Sequence, residues 1–189
     1  LLLGWAVLSL CASMALKLAT AIAAQSRPRL SALTPPPIGR LPVVSVMVPL
    51  FHETDIAARL VARLGQLRYP RELLDIVLVV EQEDSATHAA LQSADLPRWM
   101  RIVTVPNGPL KTKPRALNFA LNFCRGTIIG VYDAEDAPAP DQILRVVERF
   151  AVAPANVACL QGVLDFYNAR HNWLARCFTV EYALSFRVI

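Results

Sequence analysis

Short apolar runs alternate with helical patterns between residues 41 and 160. Four runs rich in Val, Ile and Leu predict buried strands at residues 43–50, 73–80, 101–105 and 127–132, and a shorter run predicts another at 157–160. Helices are predicted between them, one capped by Thr54 and others at residues 85–91, 114–123 and 141–150. Strands that alternate with helices predict an α/β fold with a mostly parallel sheet.

The first 24 residues form a separate apolar run. A helix of this length would span about 36 Å, which is enough to cross a bilayer core of about 30 Å. Lys17 interrupts the run, and a charge within the membrane costs about 2.5–3.5 kcal/mol. The lysine therefore either reaches the interface or faces a neighbouring helix. The prediction is one transmembrane helix at residues 1–24, and a signal peptide is the alternative because residues 21–24 are small.

Basic and proline-rich sequence follows the apolar run. Arg27, Arg29 and Arg40 place its C-terminal side in the cytoplasm by the positive-inside rule. Residues 25–41 are predicted to be a semi-stiff linker, and residues 42–189 one truncated domain. Both ends of the sequence lie within apolar patterns, so we expect a longer natural protein.

Composition narrows the classes of function. The chain has 189 residues, 54% of them hydrophobic, a mean hydropathy of +0.39, a net charge of +4 and a pI near 9.1. This mild excess of positive charge suits an anionic ligand or a membrane surface, whereas nucleic acid is disfavoured because no Lys/Arg run or RNA-binding motif occurs. The four cysteines form no CxxC pair and are predicted to be buried reduced thiols, and the three histidines lack zinc-site spacing.

Carboxylates follow the ends of three predicted strands. They are Glu53 after the first, Glu81 and Asp84 after the second, and Asp133, Glu135 and Asp136 after the fourth. The carboxyl ends of parallel strands meet at one edge of a sheet, where ligands bind. Clustered carboxylates repel each other and would take up a hard divalent cation, Mg²⁺ or Mn²⁺.

Three cations precede the predicted helix at residues 114–123. Lys111, Lys113 and Arg115 lie within five residues, and a helix N-terminus flanked by basic residues binds anions. Either feature alone commonly belongs to a solvated surface. Together, a metal site beside a phosphate site predicts binding of a nucleotide diphosphate.

These segments resemble those of the family 2 glycosyltransferases, in particular its cellulose-synthase-like members. Residues 48–53 resemble a P-x-x-N-E strand end, 81–84 an acidic loop, 111–118 a G-K-x-x-A-L-N segment, 132–136 a D-x-D motif, and Gln161-Gly162 with Asn168, Asn172 and Glu181 a later block. The resemblance covers residues 41–189. It implies a GT-A fold, a Mg²⁺ or Mn²⁺ ion, a UDP-sugar donor, a glycan or polysaccharide acceptor, inversion at the anomeric carbon, and activity at the cytoplasmic face of a membrane.

The resemblance also implies roles for individual residues. Expected nucleotide-sugar contacts are Pro49 and Glu53 near the nucleotide, Glu81 and Asp84 at uracil and ribose, Lys113 and Arg115 near the base or diphosphate, Asp133 at ribose or metal, and Gln161 near the donor sugar. Expected metal ligands are Asp133, Glu135 and Asp136. The sequence departs from the family at His52, where Asn is usual, and at Glu135, where Asp is usual. The catalytic base is expected beyond Ile189.

Other classes fit less well. A catalytically incomplete, membrane-anchored nucleotide-binding module stays the alternative. A sugar nucleotidyltransferase is disfavoured because no G-x-G-T-x-L loop follows the first strand, and a dinucleotide dehydrogenase because no G-x-G-x-x-G does.

Overall fold

The computed structural model describes residues 2–25, 39–54, 57–162 and 169–187. It consists of two compact units, one of residues 35–157 and one of residues 1–34 with 158–189. The first unit contains β1 (Val44–Leu50), α2 (Ala57–Leu64), β2 (Leu74–Glu81), α3 (Ser85–Ser93), β3 (Met100–Val105), α4 (Lys113–Leu121), β4 (Ile128–Val131) and α5 (Gln142–Val152). The second contains α1 (Leu2–Gln25) and α6 (Trp173–Arg187).

The strands form one parallel sheet in the order β3-β2-β1-β4. β1 and β2 pair in register from Val44 opposite Leu74 to Leu50 opposite Val80. Both strands are almost wholly buried, which explains their continuous apolar sequences, since central parallel strands are covered on both faces. The predicted α/β fold with a mostly parallel sheet is confirmed.

Alternate residues of each strand supply two separate cores, one on each face. Val46, Val48, Ile76 and Leu78 face the larger core, which also contains side chains of α2, α3 and α5. Met47, Val77, Val79 and Val103 face a smaller core that α4 completes with Ala116 and Ala120. The period of two in a strand gives the sheet two apolar faces, and among the described helices α4 packs against the smaller core.

A buried polar network fastens the N-terminal ends of the central strands. Asp75, 5% exposed, accepts hydrogen bonds from Ser45 Oγ at 2.7 Å and from Arg101 Nε at 2.8 Å. The backbone N–H groups of Arg125 and Gly126 donate to Asp75 and Ser45 respectively, at 3.1 and 2.8 Å. Gly126 has no alternative there, because a Cβ would lie 2.4 Å from Ser45 N. The network fixes where the chain enters β4.

Several predictions need correction. No strand forms at residues 157–160. The Val157 N–H instead donates to the Pro154 carbonyl in a turn, so this short apolar run does not pair with the sheet. The predicted cap at Thr54 depends on residues 55 and 56, which lie outside the described residues, as does most of the linker, residues 26–38. Pro114 lies in the first turn of α4, as predicted.

The second unit consists of two helices that contact each other. α1 contains the one helix among the described residues with the length and composition to cross a membrane, Leu2–Ala19, and none of that segment is buried. Lys17 of α1 forms an ion pair with Glu181 of α6 at 2.7 Å. Lys17 therefore faces a neighbouring helix, which is one of the two predicted arrangements.

The cysteines are reduced, as predicted, but the prediction that they are buried is wrong for most of them. Cys11, Cys159 and Cys177 are exposed, and Cys124 is half-buried. Cys11 and Cys177 lie on α1 and α6, whose surfaces are largely open in this unit. Apolar sequence alone does not distinguish a side chain in a core from one on an apolar surface.

Candidate functional site

A cleft of about 380 Å³ opens at the carboxyl ends of β1, β2 and β4. Its volume is within the range of small-molecule sites. Lining residues are Pro49 and Leu50 of β1, Phe51 and Glu53 after it, Val79 and Glu81 of β2, Lys111, Thr112, Lys113 and Ala116 around the start of α4, and Asp133, Ala134 and Glu135 after β4. The structure thus brings together carboxylates and basic residues that are far apart in the sequence.

The loop after β1 is held by the start of α3. His52 N–H donates to Asp84 Oδ2 at 2.6 Å, and Glu53 N–H donates to Thr87 Oγ1 at 2.9 Å. His52 adopts a left-handed backbone conformation, with φ of 57°. Asn, Asp and His tolerate this conformation better than other side chains, which explains how His52 can stand where the family usually has Asn.

Asp84 does not line the cleft. It is 2% exposed and caps α3, accepting hydrogen bonds from Thr87 N–H at 3.1 Å and Thr87 Oγ1 at 2.7 Å. Burial alone would raise the pKa of Asp84, but hydrogen bonds from the His52 and Thr87 N–H groups and the Thr87 hydroxyl lower it overall. The geometry gives Asp84 a role in holding the loop, although the sequence suggested one at uracil or ribose.

Glu81, which lines the cleft and is buried, forms an ion pair with the partly exposed Arg115. Glu81 is 6% exposed, and Arg115 Nη1 lies 3.2 and 3.3 Å from its two carboxylate oxygens. Arg115 Nη2 also donates to the Pro106 carbonyl. Gly108 leaves room for this guanidinium, since a Cβ there would lie 2.6 Å from Nη2. Arg115 itself does not line the cleft.

The two lysines at the start of α4 also have acidic partners. Lys111 Nζ contacts Glu83 Oε1, and Lys113 Nζ contacts Asp133 Oδ1. All four side chains are about half exposed, so neither pair adds much to stability. Lys111 belongs to the basic cluster predicted to bind anions, although the family resemblance implied no separate role for it, and the structure places it in the lining of the cleft.

The acidic segment after β4 forms a tight turn. Asp136 Oδ2 accepts from Asp133 N–H at 2.8 Å, and Asp136 N–H donates to the Asp133 carbonyl at 3.1 Å. Burial raises the pKa of Asp136, and the negative charges of Asp133 and Glu135 raise it further. Asp133 and Glu135 line the cleft, whereas Asp136 does not.

These carboxylates fit a divalent cation only in part. Within the described residues, no three His, Cys, Asp or Glu side chains converge closely enough to hold a metal. Asp133 and Glu135 nevertheless offer hard oxygen ligands to one cavity, and Mg²⁺ sites commonly combine one or two carboxylates with substrate phosphates and water. Gln161, exposed in the second unit, is not placed relative to the cleft.

Comparisons with known proteins agree with this architecture. The chain is 27% identical over 147 residues to Beta-monoglucosyldiacylglycerol synthase of Trichormus variabilis, covering 77% of this chain and 31% of that protein. It is 30% identical over 185 residues to the enzyme of the same name from Synechocystis sp., covering 96% and 37%. The chain thus spans about a third of the length of these curated relatives.

A solved structure shares the fold. A mannosyltransferase of Pyrobaculum calidifontis, in complex with GDP-Man and Mn²⁺, aligns with a TM-score of 0.60 and 25% identity, covering 82% of this chain and 45% of that one. Residues 42–187 match the family described as glycosyltransferase like family 2. With its parallel sheet and the cleft at the strand ends, the chain belongs to the family 2 glycosyltransferases.

Proposed function

We propose that this chain forms the donor-binding part of a membrane-anchored, inverting glycosyltransferase. The observation that carries the proposal is the cleft that Asp133 and Glu135 line together with Lys111 and Lys113. Acidic and basic groups side by side suit a ligand that brings both a divalent cation and phosphate groups. A nucleotide-sugar with its metal has this chemistry.

The residues around the cleft suggest how the donor is held. Lys111 and Lys113 would neutralise the diphosphate at the positive end of α4. Asp133 and Glu135 would hold Mg²⁺ or Mn²⁺, and Asp136 would brace the turn that presents them. The metal would supply charge stabilisation for the leaving diphosphate. Pro49 and Glu53 would line the nucleotide side, together with Glu81, which Arg115 holds by an ion pair.

The proposal also specifies the donor and the acceptor. We expect a UDP-sugar from the family resemblance, although the solved mannosyltransferase holds GDP-Man. The names of the relatives from Trichormus and Synechocystis favour a diacylglycerol lipid as acceptor, over the glycan or polysaccharide expected from sequence. A lipid acceptor also suits the apolar helix α1, which would place the enzyme at the cytoplasmic face of a membrane.

Calorimetric titration tests the donor site directly. The chain in mild detergent is titrated with UDP, GDP and UMP, with and without Mn²⁺. We expect Mn²⁺-dependent binding of UDP, weaker binding of GDP, and little binding of UMP, which lacks the second phosphate. D133N should weaken the binding of UDP by about tenfold or more, since even indirect partners of a metal are typically worth about 10–100-fold.

The control is E72Q, which changes an exposed glutamate at the opposite end of β2 and should bind UDP like the wild type. Failure of UDP and GDP to bind with Mn²⁺ would contradict the proposed function, and tighter binding of GDP would correct the choice of base. Inversion is tested separately, by the anomeric configuration of the product formed by the natural full-length enzyme, read by NMR.

A further inference from the structure

Lys113 forms an ion pair with Asp133, a carboxylate that the proposed metal site needs. Its Nζ contacts Asp133 Oδ1, and the two side chains are 49% and 48% exposed. Asp133 and Glu135 are the carboxylates of the β4 turn that line the cleft. The first of these carboxylates therefore has a counter-ion that the chain itself supplies.

An ammonium group and a divalent cation cannot share this position. Two positive charges next to the same carboxylate oxygen repel each other, and the repulsion doubles when one of them is a divalent ion. Lys113 must therefore leave Asp133 before a divalent cation can be bound there. The pair is half exposed, so its separation costs little if another anion receives the lysine.

The structure offers such a place for the lysine. Lys113 is the first residue of α4 and lines the cleft, and the N-terminus of a helix attracts anions. Thr112 and Lys111, which precede it, also line the cleft. A diphosphate bound at this helix start would draw the ammonium group away from Asp133 and free the carboxylate.

We infer that Lys113 is an internal counter-ion for Asp133, and that it makes the binding of the divalent cation depend on the binding of the nucleotide diphosphate. This inference rests on the proposed function, because it assumes that both ligands occupy this cleft. Lys113 is then a coupling residue: it opposes binding of the metal alone and favours binding of metal and diphosphate together. Cooperativity between two ligands of this kind is typically about 5–150-fold.

The chain contains a matched control in Lys111. It has the same charge, lies two residues away and lines the same cleft, but it pairs with Glu83 instead of a residue of the β4 turn. Loss of either lysine should weaken diphosphate binding. Loss of Lys113 alone should also release Asp133.

The test measures free Mn²⁺ by its electron paramagnetic resonance signal during titration of the chain, with and without saturating UDP. We expect K113M to bind Mn²⁺ alone about fivefold or more tightly than the wild type, and to gain less from UDP. K111M should bind Mn²⁺ alone with at most about a twofold change. The double variant K113M with D133N should lose the gain, which shows that it acts through Asp133.

The outcomes of this titration distinguish failure of the inference from failure of the proposed function. Equal Mn²⁺ affinity of K113M and wild type without nucleotide would overturn the inference, even where the wild type binds UDP and Mn²⁺ together. An equal gain in K111M would also overturn it, since the effect would then be general charge. A wild type that gains no Mn²⁺ affinity from UDP or GDP would overturn the inference and the proposed function together. Thermal unfolding confirms that every variant is folded.

Discussion

At the scale of single residues, the position of the β1 loop depends on one buried aspartate. Asp84 joins the left-handed His52 backbone to the first turn of α3, and Glu53 in the same loop lines the cleft. A residue in the left-handed region is strained unless its surroundings hold it. Asp84 is therefore a positioning residue for the cleft, without a need to touch the nucleotide.

We expect D84A to weaken both the fold and the site. It removes the cap of α3 and the acceptor of the part-buried His52 N–H, which together cost about 1–3 kcal/mol. Urea unfolding should show this loss, and titration should show weaker binding of UDP with Mn²⁺ at a protein concentration where the variant is folded. D84N should retain part of both properties, because an amide oxygen can still accept one hydrogen bond.

The control for this prediction is D95N, in an exposed position after the end of α3, where a change within about 0.5 kcal/mol is expected. If D84A were as stable as D95N, the positioning role would be wrong. If D84A bound UDP normally when folded, Asp84 would be structural and would not shape the cleft.

Residue roles were only partly predictable. Pro49, Glu53, Glu81, Lys113, Asp133 and Glu135 line one cleft, because strand ends and a helix start can be recognised from sequence. The roles of Asp84, Arg115 and Asp136 could not be predicted. The local sequence is the same whether a charged side chain faces solvent or bonds to another part of the chain. Their assignment to the nucleotide or metal stays a prediction.

At the scale of elements, the sheet is tied together at the edge opposite the cleft. Asp75 links β2 to Ser45 of β1, Arg101 of β3 and the entry to β4, so one carboxylate contacts parts of every strand or its flank. Burial would raise the pKa of Asp75, but hydrogen bonds from Arg101, Ser45 and the Arg125 N–H lower it overall. A charged group within the apolar pattern of β2 was the sequence signal for this network, and sequence analysis missed it.

We expect D75N to lower the free energy of unfolding by about 2–3 kcal/mol at neutral pH, through the loss of charge-assisted hydrogen bonds. Because folding lowers the pKa of Asp75, its contribution is present above the usual pKa near 3.8 and disappears as pH falls through the lower folded value. The difference between wild type and D75N should therefore be constant from pH 7 to about 5 and shrink below about pH 4.

D141N serves as the comparison, because Asp141 forms an exposed ion pair with Arg145 one helical turn away. Such pairs contribute about 0.3–0.5 kcal/mol. Urea titrations at several pH values measure all three proteins. A loss in D75N no larger than in D141N, or one that persists unchanged at pH 3, would show that the network does not stabilise the sheet as described.

Most strands and helices of the α/β unit lie where the sequence pattern predicted them. The four strands of the sheet and helices α3, α4 and α5 lie within a few residues of their predicted positions, since their apolar spacing matches the faces that they bury. The predicted strand at residues 157–160 failed because strand formation needs a partner as well as an apolar run. The order β3-β2-β1-β4 and the ion pairs across the cleft depend on tertiary contacts that no local pattern contains.

At the scale of the whole molecule, the proposed membrane location depends on α1, which pairs with α6. Lys17 is the only basic or acidic side chain of α1, and it contacts Glu181, the only acidic residue of α6. Such a pair reduces the cost of carrying a lysine near the end of a membrane helix. It favours a membrane helix over a signal peptide, because a signal peptide would be removed and would not retain a partner.

The native cysteines can test this topology. Cys11 lies within the apolar segment Leu2–Ala19, and exposed Cys159 follows the α/β unit. In variants that retain only one of them, a membrane-impermeant maleimide added to intact cells should label neither, because Cys11 would lie in lipid and Cys159 in the cytoplasm. In broken cells it should label Cys159 alone, and both should react once detergent dissolves the membrane. A cysteine-free variant gives the background. Labelling of Cys159 in intact cells would place the cleft outside the cell, away from nucleotide-sugars made in the cytoplasm. A mature protein that lacks Cys11 would show that residues 1–24 are a cleaved signal peptide.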